Sequence, residues 1–354
     1  MNNKLFYNQL YTWFEQNRRI LPWRETENPY YIWLSEIILQ QTRVEQGLPY
    51  YLRFVERFPD IKSLASATED EVLLLWQGLG YYSRARHLHQ AAKMVVERGQ
   101  IPFPTTFDTI HALPGIGDYT AGAIAAFAYN MPYPALDGNV YRVLARLYDC
   151  EMAFDTASGK KHFHQLACDL LDSNNARLFD SAIMEFGALF CTPLSPDCEQ
   201  CPIQTFCQAY AHHTVDLLPI RKPRPKVKER YFNYSIYIAH GQTIIQQRMK
   251  QDIWQHLWEF PIEETEKQQD NPTAPHIDFT HLLSHQRIHA RFLIYKVEQL
   301  PHIKNTRVVS LNELNDYAFS RLALRALEWL FNLPKPNQSA QYLPQSKGIQ
   351  SALQ

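Results

Sequence analysis

Four of the six cysteines in this 354-residue chain lie within seventeen positions. They are Cys191, Cys198, Cys201 and Cys207, in the pattern C-x6-C-x2-C-x5-C. Thiolates this close in sequence can surround one metal ion or one iron–sulfur cubane, and the chain must then fold tightly around it. Disulfides are the weakest interpretation, because a two-residue spacing closes poorly and nothing else suggests secretion. Zinc remains an alternative to a [4Fe–4S] cluster, although zinc sites usually pair two C-x2-C knuckles and only one is present. The two isolated cysteines, Cys150 and Cys168, are predicted to be small buried apolar residues.

Composition and charge restrict the class of protein further. Apolar residues make up 45% and charged residues 20% of the chain, as in ordinary globular proteins. The longest apolar run, 121–129, is too short to span a bilayer, and the first residues lack the apolar core of a secretory signal. We therefore expect a cytoplasmic protein without membrane partners.

The near-neutral total charge conceals an uneven distribution. Residues 1–218 carry a net charge of −7 and residues 219–354 a net charge of +6, of which the stretch 221–230 supplies +5. Such a basic, proline-containing stretch is either a solvated linker or a strap that also contacts phosphate.

The periodicity of apolar residues predicts two kinds of domain. Residues 1–218 form an all-α domain, with apolar residues at helical spacing over 30–41, 69–79, 83–99 and 180–190. A basic linker, 219–230, precedes an α+β domain over 231–332. That domain has a hairpin over 231–248, a strand over 290–300 and an amphipathic helix over 319–331. The tail, 333–354, lacks a periodic apolar face and is predicted to be disordered.

The sequence LPGIG at 113–117 predicts a tight turn followed by a helix from about Asp118. Backbone N–H groups at such a helix start can bind a phosphate, as in a helix-hairpin-helix motif that grips the DNA backbone through residues such as Gly115 and Gly117. An ordinary corner between two helices is the alternative. Asp118 opposes phosphate binding through its charge, although it also suits the positive end of the helix dipole.

Two carboxylates are candidates for acid–base chemistry. Glu36 lies within the apolar helix YYIWLSEIILQQ, where burial should raise its pKa and allow it to act as a general acid near neutral pH. Asp137 precedes a glycine at the start of an amphipathic helix, and taken alone it is better explained as an ordinary N-cap, a position that favours Asp. The alternative for Glu36 is a partly exposed side chain with its carboxyl in water.

Together these pieces resemble the adenine DNA glycosylases of the MutY type, within the endonuclease III superfamily. The resemblance reaches to about residue 332 and rests on LPWR (21–24), SEIILQQTRV (35–44), GLGYYSRAR (78–86), LPGIGDYTAGAI (113–124), LDGNV (136–140) and the four cysteines. It implies a helix-hairpin-helix glycosylase domain with a [4Fe–4S] loop at 191–207. It also implies a C-terminal Nudix-like domain that recognises 8-oxoguanine, in which HLWEFP (256–261) replaces a motif that begins with glycine. The Nudix catalytic box is not visible, so no pyrophosphatase activity is expected.

The resemblance also implies the chemistry and its residues. Such a protein acts on double-stranded DNA, as a monomer and, in bacteria, at the nucleoid, and removes adenine paired with 8-oxoguanine or guanine. Glu36 would protonate the adenine at N7, and Asp137 would stabilise the positive charge left on the sugar. The other residues that match family positions are Tyr119 and Asn139 beside the catalytic groups, Arg19, Trp23, Arg24 and Leu39 in the adenine pocket, and Gln41, Tyr81, Ser284 and His285 at the opposite base.

Three positions differ from relatives within this superfamily. Tyr119 occupies the place of the lysine that forms a Schiff base in lyase-competent relatives, which implies a monofunctional glycosylase. Leu283 stands where the family has phenylalanine before the Ser-His pair. Ser181 stands where many relatives have Gln or Glu facing the adenine. The alternatives are a bifunctional glycosylase/lyase acting on oxidised pyrimidines, and a DNA-binding iron–sulfur protein without catalytic activity.

Overall fold

The computed structural model describes residues 3–223, 227–267 and 274–331 of the chain. Contacts between Cα atoms divide it into two compact units. Of the described residues, 3–65 and 90–223 form the first unit, and 66–89, 227–267 and 274–331 form the second. The predicted tail, 333–354, lies outside the described residues. No helix in the described part is long and apolar enough to cross a membrane.

Helices build the first part of the chain, as the periodicity predicts. They are α1 (Asn3–Asn17), α2 (Pro29–Leu39), α3 (Val44–Arg57), α4 (Ile61–Ser66), α5 (Glu69–Trp76), α6 (Ser83–Glu97), α7 (Phe107–His111), α8 (Asp118–Tyr129), α9 (Gly138–Leu147), α10 (Ala157–Leu170), α11 (Ala176–Leu189) and α12 (Gln208–Ala211). No strand occurs among the described residues before Lys228. The core of the first unit includes buried residues of α1, α9, α10 and α11, among them Phe6, Leu144, Phe163 and Phe186.

Local chemistry explains where the helices that carry the predicted site begin. Asn28 caps α2 by accepting a hydrogen bond from the backbone N–H of Tyr30, and Pro29 occupies the first turn, where a missing N–H is harmless. At α8 the capping residue is Gly117, which offers no side chain to the first turn. The first N–H groups of α8 therefore have no side-chain cap and point away from the helix.

The second unit contains a mixed sheet and a C-terminal helix. Its strands are β1 (Lys228–Ala239), β2 (Gln242–Gln247), β3 (Trp258–Glu259), β4 (Ile262–Thr265), β5 (His276–Leu282), β6 (Gln286–Lys296) and β7 (Thr306–Ser310). The order is β3-β2-β1-β6-β5, with β4 paired to β1 and β7 paired to β2. β1 and β6 run parallel, and the other pairs are antiparallel. α13 (Arg321–Phe331) adds Leu322 and Leu327 to the apolar core of the sheet.

Three details differ from the expectations. β1 begins at Lys228, inside the predicted linker, because its backbone already pairs with β6 from Gln286 onward. Residues 66–89, which the periodicity placed in the helical domain, group with the sheet. Cys168 is exposed, so its predicted burial is wrong, whereas Cys150 is partly buried. Cys168 follows the buried Ala167 of α10 and lies near His164 one turn earlier, away from the buried face of that helix.

The predicted hairpin and its turn are confirmed. Ile238 pairs with Thr243 and Ala239 pairs with Gln242, so His240 and Gly241 form the two-residue turn. Both turn residues have positive φ, of 49° and 74°. This is the geometry of the tight turns that suit the twist of antiparallel strands.

Candidate active site

A cavity of about 950 Å³ lies in the first unit, between the first turns of α8 and α9, one end of α2, and α11. It brings together ten residues that the sequence singled out: Arg19, Trp23, Arg24, Glu36, Leu39, Gln41, Gly117, Tyr119, Asp137 and Asn139. Ser181 also lines it. Ser284, His285 and Tyr81 belong to the second unit and do not line this cavity.

Glu36 is buried on α2, with 6% of its surface exposed. Burial raises the pKa of its carboxyl, the hydrogen bond from Tyr119 lowers it, and the nearby Asp137 raises it, which leaves the pKa at about 7. The hydroxyl of Tyr119 donates to Oε2 of Glu36 at 2.9 Å. Glu36 therefore holds a proton for a large fraction of the time at neutral pH, as a general acid requires.

Asp137 precedes α9, where it acts as the N-cap and also faces the cavity. Its Oδ1 accepts the backbone N–H groups of Asn139 and Val140, both at 2.8 Å. Its Oδ2 accepts the side-chain amide of Asn139 at 2.7 Å. Burial raises the pKa of Asp137, and these hydrogen bonds oppose that shift. The capping role and a chemical role are thus compatible in one side chain.

The hairpin before α8 has the predicted form. Gly115 has a φ of +78°, which favours glycine, and α8 begins at Asp118. The carboxylate of Asp118 contacts Nε2 of His111 at 2.9 Å. The negative charge of Asp118 therefore faces His111, at the end of the preceding helix α7.

Gln41 and Tyr81 both adopt left-handed backbone conformations, with φ of 57° and 48°. Such conformations cost energy in residues other than glycine and tend to occur at functional positions. In the second unit, the hydroxyl of Tyr81 hydrogen-bonds to the hydroxyl of Ser284. Ser284 and His285 form the tip between β5 and β6, closed by a 2.8 Å hydrogen bond from the N–H of Leu283 to the carbonyl of Gln286.

Three acidic or basic side chains beside this site were missed by the sequence analysis. Glu185 is fully buried on α11 and binds both Arg19 and Arg24. Asp180, 1% exposed, has its pKa raised to about 8 by burial and by Asp137. Among the described residues that line the cavity, Lys160 is the one lysine. An acid isolated among apolar residues, the signal that identified Glu36, also marks Glu185 in the segment IMEFG.

The four clustered cysteines line one small apolar cavity and are not joined by disulfides. No three His, Cys, Asp or Glu side chains among the described residues are placed to hold a single metal ion. A four-iron cubane is wider than one ion, and four thiols around a shared cavity are the donor set that it requires. The residues present therefore fit the cluster.

Two arginines of α9 connect this cysteine loop to the rest of the unit. Arg146 donates to Sγ of Cys191 at 3.3 Å and to the carbonyl of Thr192 at 2.7 Å. Arg142 donates to the carbonyl of Cys191 at 2.8 Å and to Oδ1 of Asn139 at 3.0 Å. The helix that begins at Asp137 thus also supports the loop that carries the cysteines.

We expect the purified protein to contain about four irons per chain, and Arg146→Gln to lose this iron faster than the wild type on exposure to a chelator. The substitution leaves the partly buried carbonyl groups of Thr192 and Val215 without this donor, at a cost of up to about 1–3 kcal/mol each. The measurement is iron content and the decay of the visible cluster absorbance, with Lys161→Gln on the exposed face of α10 as the control. One zinc and no iron, or equal decay in both variants, would contradict this account.

Comparisons with known proteins agree on the family. Residues 34–165 match the HhH-GPD superfamily of base excision DNA repair proteins, 191–207 match the iron–sulfur binding domain of endonuclease III, and 233–329 match a NUDIX domain. The iron–sulfur match identifies the cofactor as a [4Fe–4S] cluster rather than zinc.

Individual relatives cover most of the chain. An adenine DNA glycosylase of Buchnera aphidicola (subsp. Schizaphis graminum) is 32% identical over 86% of this chain and 91% of its own length. The adenine DNA glycosylase of Mus musculus is 39% identical over 64% of this chain and 46% of its own length. A thermostable thymine-DNA glycosylase structure, 27% identical, covers 59% of this chain and 97% of its own with a TM-score of 0.54. Because the first of these relatives is more than 30% identical over most of both chains, and the family models match the same segments as the cavity and the cysteine loop, the chain belongs to the adenine DNA glycosylase family of base-excision-repair enzymes.

Proposed function

We propose that this protein hydrolyses the N-glycosidic bond of adenine paired with 8-oxoguanine or guanine in double-stranded DNA, without cleaving the strand. The observation that carries the proposal is the buried Glu36, hydrogen-bonded to Tyr119 beside Asp137 in a cavity of about 950 Å³. A cavity of that size accommodates a base that has left the duplex, and an extruded base is what such chemistry requires.

In the proposed mechanism, protonated Glu36 donates its proton to N7 of the adenine. The base then leaves as a neutral molecule rather than as an anion, which lowers the barrier to bond cleavage. Tyr119 fixes the direction of the carboxyl through its 2.9 Å hydrogen bond to Oε2. Burial holds the pKa of Glu36 near 7, so the acid is available at physiological pH.

Asp137 supplies the complementary negative charge. Loss of the adenine leaves positive charge on the sugar, and a carboxylate beside the ring stabilises it or bonds to it briefly. The three donors from Asn139 and Val140 fix the position of that carboxylate and favour its ionised form. Asn139 in turn is held by Arg142, so it can also position the attacking water.

DNA binding is proposed to use backbone groups more than net charge. The first turn of α8 offers N–H groups without a side-chain cap, next to Gly117, and these suit a phosphate. Lys160 adds a positive side chain to the same cavity wall. The four cysteines would hold the [4Fe–4S] cluster, and their bonds to it would stabilise the loop that contacts α9.

The opposite base is proposed to be read by the second unit. Ser284 and His285 lie at a hairpin tip. The backbone N–H of Lys228 stabilises this tip by donating a hydrogen bond to the carbonyl of His285 at 3.0 Å. Tyr81 contacts Ser284 and would enter the duplex with Gln41 beside the damaged base. No pyrophosphatase activity is proposed for this Nudix-like domain. We further propose that the protein is a monomer and acts at the bacterial nucleoid.

Glu36→Gln should abolish adenine excision and leave mispair binding close to that of the wild type. The amide keeps the shape of the side chain but cannot donate the proton, and general acid catalysis contributes about 10²–10⁴-fold. Single-turnover excision from a duplex with one A opposite 8-oxoguanine measures the effect, with Glu25→Gln at a surface ion pair as the control. An E36Q rate above about a third of the wild-type rate would rule out this role, given the expected range.

The wild-type reaction should leave an intact strand that breaks only after treatment with alkali. Tyr119 cannot form a Schiff base, since it has no amine. Gel analysis with and without alkali is the measurement, and borohydride added during the reaction tests for a covalent adduct. Strand cleavage before alkali, lost in Lys160→Gln, would instead assign a lyase activity to the lysine in the cavity wall.

Ser284→Ala should reduce the preference for adenine opposite 8-oxoguanine over adenine opposite guanine. Loss of one hydrogen-bonded contact costs about 1–3 kcal/mol, so the ratio of the two excision rates should fall by roughly five- to a hundredfold. Thr280→Ala, on exposed β5, is the control. Tyr81→Phe keeps the ring and removes the hydroxyl that contacts Ser284, and we expect it to cause a smaller loss in the same direction. An unchanged ratio in S284A would place recognition of the opposite base elsewhere.

A further inference from the structure

Glu185 is a fully buried carboxylate that binds two arginines at the wall of the active-site cavity. Its side chain on α11 is 0% exposed. Arg19 donates from Nε to Oε1 and from Nη2 to Oε2, both at 2.8 Å, and its backbone N–H donates to Oε1 at 2.9 Å. Nη1 of Arg24 lies 2.8 Å from Oε2. All three residues line the cavity that contains Glu36.

The charges of this cluster do not cancel completely. Burial raises the pKa of Glu185, but hydrogen bonds from Arg19 and the charge of Arg24 outweigh burial and hold it at about 2. Glu185 is therefore ionised at neutral pH. One carboxylate then faces two guanidinium groups, with the exposed Glu45 a further 4.0 Å contact of Arg19. Removal of Glu185 would leave the partly buried Arg24 without this carboxylate and Arg19 with only the exposed Glu45.

We propose that Glu185 is a positioning residue that holds Arg19 and Arg24 against the adenine cavity and limits the positive charge that acts on Glu36. The proposal rests on the proposed function, in which these two arginines form the adenine pocket. It assigns a role to a residue that does not contact the reacting atoms itself.

The groups that face Glu36 determine what the loss of Glu185 would do. Tyr119 of α8 donates a hydrogen bond to it, Asp137 at the start of α9 opposes its ionisation, and Arg24 favours its ionisation. Glu185 partly offsets the charge of Arg24. Without that offset, Glu36 should lose its proton at a lower pH, and fewer molecules would carry the acid at neutral pH.

The test compares Glu185→Gln with Glu25→Gln, which removes a carboxylate from the surface pair with Arg18. Single-turnover adenine excision is measured against pH. We expect the alkaline midpoint of E185Q to move down by about half to one pH unit, so that excision above the midpoint falls about three- to tenfold. E25Q should keep the wild-type midpoint. A uniform loss at every pH, with an unmoved midpoint in E185Q, would show a merely structural role and overturn the proposal.

Two further variants separate charge from shape. Arg24→Gln should move the alkaline midpoint up. Adding E185Q to R24Q should lower the midpoint again, but by less than E185Q lowers it in the wild type. Glu185→Asp keeps the charge but has a shorter side chain, which holds the two arginines less well. It should therefore keep the wild-type midpoint while it weakens adenine binding. An E185D midpoint as low as that of E185Q would contradict the charge argument, and it remains measurable if E185Q fails to fold.

A readout without catalysis distinguishes this proposal from the proposed function. If the wild type removes no adenine from either mispair, the proposed function fails. The titration of the Glu36 carboxyl can still be followed by ¹³C NMR of glutamate-labelled protein, with E36Q used for assignment. A lower midpoint in E185Q than in wild type supports the role of Glu185, and equal midpoints refute it.

Discussion

The hydrogen bonds that Asp137 accepts at the start of α9 fix one wall of the candidate active site. They satisfy backbone N–H groups that would otherwise lack partners, and they aim the same carboxylate into the cavity. If Asp137 has the proposed catalytic role as well, one side chain ties catalysis to the folding of the helix. Its replacement by asparagine would preserve most of the cap and remove the charge, whereas alanine would remove both. Stability and chemistry can therefore be separated at this one position.

The remainder of α9 connects Asp137 and Asn139 to the cysteine loop. Arg142 reaches Asn139, the carbonyl of Gly187 and the carbonyl of Cys191, and Arg146 reaches the sulfur of Cys191. These guanidinium groups are buried, so each of their hydrogen bonds is costly to lose. A disturbance of the cluster loop would thus act on the helix that presents Asn139 and Asp137. The cysteine loop is thus connected to the candidate site through the side chains of α9.

Close packing of α11 on α9 depends on Gly187. A Cβ atom there would lie 2.8 Å from the Cβ of Asn139 and 3.0 Å from its carbonyl oxygen, which is too close. The absence of a side chain lets α11 approach, and Glu185 on the same helix then reaches Arg19 and Arg24.

Local features of the structure could be predicted from the sequence, and contacts between distant segments could not. The start of α8 at Asp118 and the turn at His240 and Gly241 follow from glycine and from periodicity, which act within a few residues. Arg19, Trp23, Arg24 and Leu39, which the resemblance assigns to the adenine pocket, line one cavity with Glu36, and their roles stay predictions. The grouping of residues 66–89 with the sheet was missed, because it depends on contacts such as that between Tyr82 and the carbonyl of Phe319. Amphipathic spacing shows that a helix buries one face, but it does not identify the element that covers that face.

Burial also explains how a negatively charged glycosylase domain can bind a polyanion. The formal charge of −7 for residues 1–218 counts every carboxyl as ionised and accessible. Glu36 and Asp180 are buried, and burial raises their pKa values to about 7 and about 8. At neutral pH Glu36 is therefore partly protonated and Asp180 largely protonated. The charge of Glu185 is directed at two arginines inside the protein. Protonation of Glu36 and Asp180 therefore makes the domain less negative than the formal count, which lowers the repulsion that DNA would meet.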